Sequence, residues 1–237
     1  AARIDRTTPK GSFALRYTGA SYGNDKVDAV VTLSNWNYVE PVMSNGASGW
    51  DEYEERADYD TFQPGVFMNS GYQRTGSLIE NLNFYTVGLT DLEVSIEFFY
   101  AGTDDPFEAK GHMTCIDLDV GQKFGFGGAV SLAQVVDKND FLSIDEEQSI
   151  ISSPEYPCGG VEDEHGAISA DPNDPLYKLG LVGAYFDTTG SQKGTPIELS
   201  FVSSWKGSHS TAQSFFAMTN EFLTAPNPND DIVEDGK

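Results

Sequence analysis

The sequence predicts an all-β protein: one elaborated antiparallel β-sandwich carrying two long irregular loops. Three observations predict it. From Asp91 to Tyr100 the chain alternates strictly. Leu92, Val94, Ile96, Phe98 and Tyr100 fall on one parity, and Asp91, Glu93, Ser95 and Glu97 on the other. That is the pattern of a strand with one buried and one wet face. Fifteen Phe and eleven Tyr against four Met favour pleated surfaces over helices. Finally, 24 Gly and 11 Pro are spread along the chain as turn formers, and no apolar stripe of helical period outlasts about two turns.

Taken in order, Ser12–Thr18 alternates Phe13, Leu15 and Tyr17 with Ser12, Ala14 and Arg16. Val27–Trp36 follows the turn residues Gly19–Asn24, with Val31, Leu33 and Asn35 on one face, so the pair reads as an antiparallel hairpin. Residues 37–61 read as the first irregular loop. Phe62–Asn69 and Ser77–Phe84 bracket a turn and lead into the alternating run. Ala101–Pro106 has turn chemistry and Gly111–Asp119 is again extended, so Asp91–Asp119 reads as a long central hairpin. Gly121–Gly128 holds four glycines in eight residues. It lacks any phosphate-loop pattern and no helix pattern follows, so it reads as a flexible turn. Strands are expected at Val130–Asp137, Phe141–Ile144, Leu179–Asp187, Ile197–Trp205 and Ser214–Phe222, with the second irregular loop at Ser152–Lys178. About ten or eleven strands without a repeat period point to one sandwich domain over 1–223. Residues 224–237, rich in Pro, Asn and Asp, read as a linker or tail.

A net charge of −23 disfavours nucleic acid and anionic membranes as partners, because both are bound through Lys and Arg. Nucleophilic catalysis finds little support. There are three histidines, no GxSxG, and no Cys–His pairing by spacing; His112 reads as a structural residue. Among 37 acidic residues no pair stands out as a glycosidase dyad, so a non-catalytic protein is expected. Calcium is the candidate cofactor. Asp117 and Asp119 share a parity that would aim two carboxylates at one cation, and the DPNDP turn could donate Asp171, Asn173 and Asp174. Trp36, Tyr38, Trp50 and Tyr53 lie in or beside an acidic loop. Flat rings in a polar loop can stack on the C–H faces of sugars, which makes these four the candidate ligand-binding residues. Cys115 and Cys158 fit no zinc or redox motif, and in an exported chain they most simply form one disulfide, contributing on the order of 3–4 kcal/mol. An intramolecular isopeptide would need Lys10 or Lys26 to face Asn220 near Glu97, and sequence alone does not bring them together.

Three stretches carry a family resemblance: RIDRTTPKGSFALRYT over 3–18, VVTLSNW over 30–36, and EFFYAGTDDPFEAKGHMTCIDLD over 97–119. In this order they resemble the N-terminal adhesin-type domains of Gram-positive wall-anchored surface proteins. At the level of architecture they also resemble the lectin-like sandwiches of streptococcal glucan-binding and antigen I/II adhesins. The resemblance implies a lectin-like β-sandwich, exported to the bacterial cell surface and standing as a monomer within a longer, wall-anchored protein. It implies a host glycan or a matrix glycoprotein as the partner. It transfers no catalytic residue. Such domains usually lack a disulfide, so Cys115 and Cys158 depart from the pattern. A structural spacer and an accessory module of a secreted carbohydrate-active enzyme are the alternative readings.

Overall fold

A computed structural model gives the architecture. It describes residues 3–5, 8–9, 11–22, 24–38, 65–68, 84–87, 89–116, 118, 121–135, 141–154, 180–203 and 217–219. The strands are β1 (Arg3–Asp5), β2 (Ser12–Tyr22), β3 (Asp25–Tyr38), β4 (Gly65–Met68), β5 (Phe84–Val87), β6 (Leu89–Tyr100) and β7 (Lys110–Ile116). They continue with β8 (Gln122–Gly128), β9 (Val130–Val135), β10 (Ser143–Asp145), β11 (Ile150–Ser152), β12 (Val182–Asp187), β13 (Ile197–Ser203) and β14 (Ala217–Thr219). A seven-stranded sheet runs β10-β11-β8-β13-β6-β3-β2, a four-stranded sheet β14-β7-β12-β9, and a small sheet β1-β4-β5. The pairings are antiparallel throughout, so the all-β expectation holds.

Register turns the alternation of each strand into continuous apolar rows. Leu15, Val31, Ile96 and Ile197 lie side by side across four strands. Phe13, Leu33, Val94, Leu199 and Phe126 form the next row. Leu92, Phe201, Phe124 and Ile151 form a third. The central members of these rows are almost fully buried. Facing them across the sandwich are Met113 and Cys115 of β7 and Val182, Ala184 and Phe186 of β12, in the same core cluster. Phe98 of β6 stacks on Phe186 of β12 with ring centroids 5.6 Å apart, which fixes the two sheets face to face.

The central hairpin expected over Asp91–Asp119 does not form. β6 pairs with β3 and β13, whereas β7 pairs with β12 and β14 in the other sheet. Residues 101–109 carry the chain from one sheet to the other. Pro106 has no amide to continue a ladder and makes only an isolated bridge to Phe99. Phe107 then turns into the core at 6% exposure, its N–H donating to the Phe98 carbonyl at 2.8 Å. Alternation assigned the buried face of β6 correctly from Leu92 to Phe98 but says nothing about which strand lies alongside.

Gly121–Gly128 is likewise not a flexible turn. Most of it is β8, inside the large sheet between β13 and β11. Its inward positions are Phe124 and Phe126, and Gly125 and Gly127 face outward. A Cβ at Gly125 would overlap Ser200 Oγ, and one at Gly128 (φ +61°) would overlap the Pro196 carbonyl. These glycines answer to close approach and a left-handed corner, not to flexibility.

A third correction concerns β3. Parity put Asn35 inward, but a bulge between Ser34 and Asn37 breaks the register. Asn35 takes a left-handed conformation at φ +52°, is exposed, and flips the pattern so that Trp36 enters the core at 2% exposure. Asn tolerates this region better than other non-glycine residues. The first hairpin, by contrast, is as expected, with β2 and β3 paired from Ser12↔Ser34 to Tyr22↔Asp25 at the tip. Lys26 is exposed near that tip, and Lys10 and Asn220 lie outside the described residues.

Polar clamps hold the ends of the sandwich. Asp28 is on the outer face of β3 yet only 1% exposed. It accepts hydrogen bonds from the Gly19 N–H (2.9 Å), the Gly102 N–H (3.0 Å) and Arg16 Nε (3.0 Å). The Gly102 and Gly19 amides, helped by Arg16, hold its carboxyl below the usual range although burial opposes them. Arg16 also reaches Asp104 at 2.7 Å and the Thr103 carbonyl, over the Phe99 ring. At the crossing, Thr188 Oγ1 accepts from the Ala109 N–H (2.8 Å) and donates to the Ala109 carbonyl (3.1 Å). Lys110 Nζ meets Asp187 at 2.6 Å, and this contact with two hydrogen bonds from Thr189 lowers the Asp187 carboxyl to about 2.

Two outcomes are expected. Phe124→Ala, which empties a fully buried ring site 5.4 Å from Phe201, should cost about 3–5 kcal/mol in denaturant unfolding. The lowered carboxyl of Asp187 stabilises the fold above the ordinary carboxylate range, near pH 3.9, and that contribution is lost as pH falls toward about 2. Asp187→Asn should therefore flatten the pH dependence of stability between those limits, measured by urea unfolding at each pH; a curve superimposable on the parent's would refute the assignment.

Candidate functional site

The outer face of the seven-stranded sheet carries the residues that alternate with the core rows. Across adjacent strands, Ser34 pairs with Glu93, Glu93 with Ser200, and Ser200 with Gly125, which in turn faces Ile150. One step along, Ser95 pairs with Glu198 and Glu198 with Gly127. Where Gly125 and Gly127 remove side chains, the sheet sinks into a groove of about 450 Å³ lined by these residues and walled by the turn at Gln148–Ser149.

Its two sides are built by unusual backbone. Among the described residues, the non-glycine residues with positive φ are Asn35 and Ser149. On one side, the bulge at Asn35 swings its amide over the sheet, so that Nδ2 donates to Glu93 Oε2 at 2.5 Å; Ser34 Oγ is 3.5 Å from the same oxygen. On the other, Ser149 at φ +54° aims its carbonyl at the Phe126 N–H (3.0 Å), and the Gln148 N–H donates to Asp145 Oδ1 (3.1 Å). Glu198 Oε2 lies over Gly127, 3.5 Å from where a Cβ would stand. The result is an open trough with two exposed carboxylates, several hydroxyls and a floor of backbone. It can exchange hydrogen bonds with a polar, flexible ligand.

Of the ligand-binding residues expected from sequence, Trp36 is in the core, so its ring offers no face to a sugar, and among the described residues its Nε1 finds no hydrogen-bond partner. Tyr38 ends β3 with its side chain outside the described residues, and Trp50 and Tyr53 lie outside them altogether. So do Asp117, Asp119, Asp171, Asn173, Asp174 and Cys158. Cys115 is buried on the inner face of β7, its backbone paired with Val182 and Met218. Among the described residues no three His, Cys, Asp or Glu side chains converge as a cation site, and no helix is long and apolar enough to cross a membrane. Sequence reading missed the groove because Glu93 and Glu198 are ordinary wet-face acids by alternation. The one signal that could have exposed it is the G-x-G spacing of Gly125 and Gly127 between inward phenylalanines.

No protein-family model matches the chain, and no curated protein matches it. A solved structure, the N-terminal domain of a Streptococcus gordonii adhesin, superposes with a TM-score of 0.42 at 12% identity, covering 91% of this chain and 49% of that one. The chain thus spans about half the length of that structure.

Left-handed serine is disfavoured by roughly 1–2 kcal/mol relative to the right-handed form, partly offset by the flexibility of glycine when unfolded. Ser149→Gly should therefore leave the stability unchanged or raise it by up to about 1 kcal/mol in thermal unfolding. A loss above that size would mean the Ser149 hydroxyl matters more than its backbone.

Proposed function

We propose that this chain is an extracellular, non-catalytic binding domain of adhesin type, which takes a host glycan or matrix glycoprotein in the groove between Glu93 and Glu198. One observation carries the reading: both left-handed non-glycine residues described, Asn35 and Ser149, flank this groove, one holding Glu93 and the other forming a wall. Strained backbone persists where surrounding structure enforces it, and it concentrates at ligand sites. The open, hydroxyl-lined walls and exposed carboxylates favour reversible binding over a reaction, since glycoside hydrolysis profits from a carboxyl kept protonated in an apolar pocket. A calcium contribution is proposed from Asp117 and Asp119, or from Asp171, Asn173 and Asp174. The cell-surface setting rests on the sequence resemblance.

The test is an array of glycans and matrix glycoproteins, probed with calcium and with EDTA. Saturable binding is expected, weakened about tenfold or more in a Glu93→Gln/Glu198→Gln variant, because charge-assisted hydrogen bonds contribute a few kcal/mol together. EDTA should weaken it only if the acidic loops hold calcium. Binding indifferent to the double substitution would move the site off this face, and silence across the array would favour a spacer. Turnover of an oligosaccharide lost on substituting one of the two acids would make the domain an enzyme.

A further inference from the structure

The chemistry of the groove narrows its ligand, and this step rests on reading the groove as the binding site. Among the described residues, none that lines it is basic. Arg16, on the same sheet face, is held by Asp28 and Asp104. Lys123, on β8, lies outside the lining. Among the described residues, the lining also offers no exposed ring. Its aromatic residue, Phe126, belongs to the inward parity of β8 and stacks on Phe124 at 6.4 Å. A sugar would find no stacking platform here, whereas a cation would find Glu93 and Glu198 exposed, with Ser34, Ser95 and Ser200 to accept its remaining protons. From β3 to β11 the trough crosses five strands. Four inter-strand spacings of about 4.8 Å make roughly 19 Å, the length of about six extended residues.

We infer that the groove takes an extended segment of a protein ligand through an arginine or lysine side chain set between Glu93 and Glu198. A guanidinium can engage a carboxylate through two parallel N–H donors, and the neighbouring serines accept the others. Asn35 occupies one oxygen of Glu93, which leaves the other for the ligand and keeps the side chain from rotating away. The net charge of −23 would steer such a segment inward, and it repels sulfated or sialylated chains.

The probe is a dye-labelled hexapeptide with two central arginines, followed by fluorescence anisotropy at about 150 mM salt, where long-range attraction is screened within about 8 Å. Its counterpart carries citrulline, a neutral isostere of arginine. The arginine peptide should bind saturably and the citrulline peptide about tenfold or more weaker. Glu93→Gln/Glu198→Gln should lose a similar factor. Asp25→Asn/Asp105→Asn, which changes the net charge equally at exposed sites, should lose less than about twofold. Equal losses in both double variants would reduce the effect to general acidity and overturn the inference. A glucosamine oligosaccharide binding in place of the peptide, with the same dependence on Glu93 and Glu198, would overturn the peptide and assign the amine to a sugar. Neutral glycans binding in an acid-dependent way while the arginine peptide is silent would overturn the cationic ligand and leave the groove as the site. Silence of every probe would overturn both readings. Thermal melts of each variant confirm that the Gln and Asn isosteres keep the fold.

Discussion

A single buried carboxylate sets much of this architecture. Asp28 sits on the face of β3 that should be wet, yet it is covered by the end of β2 and by the first turn of the crossing segment. Taking a carboxylate out of water is unfavourable unless its oxygens are satisfied. Here the Gly102 and Gly19 amides and Arg16 satisfy them, and together they outweigh burial. The same bonds decide local geometry. Gly19 (φ +75°) lies in the interruption of the β2–β3 register between Tyr17 and Ala20, and Gly102 (φ +74°) opens the turn after β6. One side chain therefore fixes both where the first hairpin bends and where the chain leaves the large sheet.

That departure is what makes a sandwich instead of a single broad sheet. Once residues 101–109 are led away from β6, Phe107 and Ala109 are buried and β7 is delivered to β12. A buried hydroxyl closes each end of the arrangement. Thr188 satisfies both backbone groups of Ala109, and Ser153 does the same for Gln122, accepting from its N–H and donating to its carbonyl, each at 3.0 Å. Buried amides where a connection meets the first residue of a strand need such partners. The two hydroxyls let the chain change sheets without orphaning them.

The alternation of β6 and of the β2–β3 pair was plain in the sequence, and so was the all-β class, because a two-residue period records burial directly. Partner choice was not. Leu92–Tyr100 and Gly111–Asp119 look like the arms of a hairpin until Pro106 and Phe107 are seen to lead into the core. Trp36 was misjudged for a related reason: parity counts residues, and the bulge at Asn35 adds one. Glu93 and Glu198 carried no mark at all, since the groove beside them is opened by Gly125 and Gly127 of β8, which lie opposite Ser200 and Glu198 of β13. Contacts between residues far apart in sequence leave little trace in local pattern.

β8 shows how one strand can serve both faces of a sheet. Its inward residues, Phe124 and Phe126, are among the largest in the core rows, while on the outward face Lys123 is followed by two glycines, Gly125 and Gly127. Glycine weakens a strand by roughly 0.5–1 kcal/mol relative to alanine. Flanking phenylalanines that bury most of their area offset that cost. The depression left on the outer side is where Ser200 and Glu198 settle. Packing on one face thus permits the absence of side chains on the other, and that absence gives two ordinary surface acids a concave setting. A strand with side chains at these two outward positions would keep the core and lose the groove, so the glycine content that made this segment look like a turn is the feature that opens it.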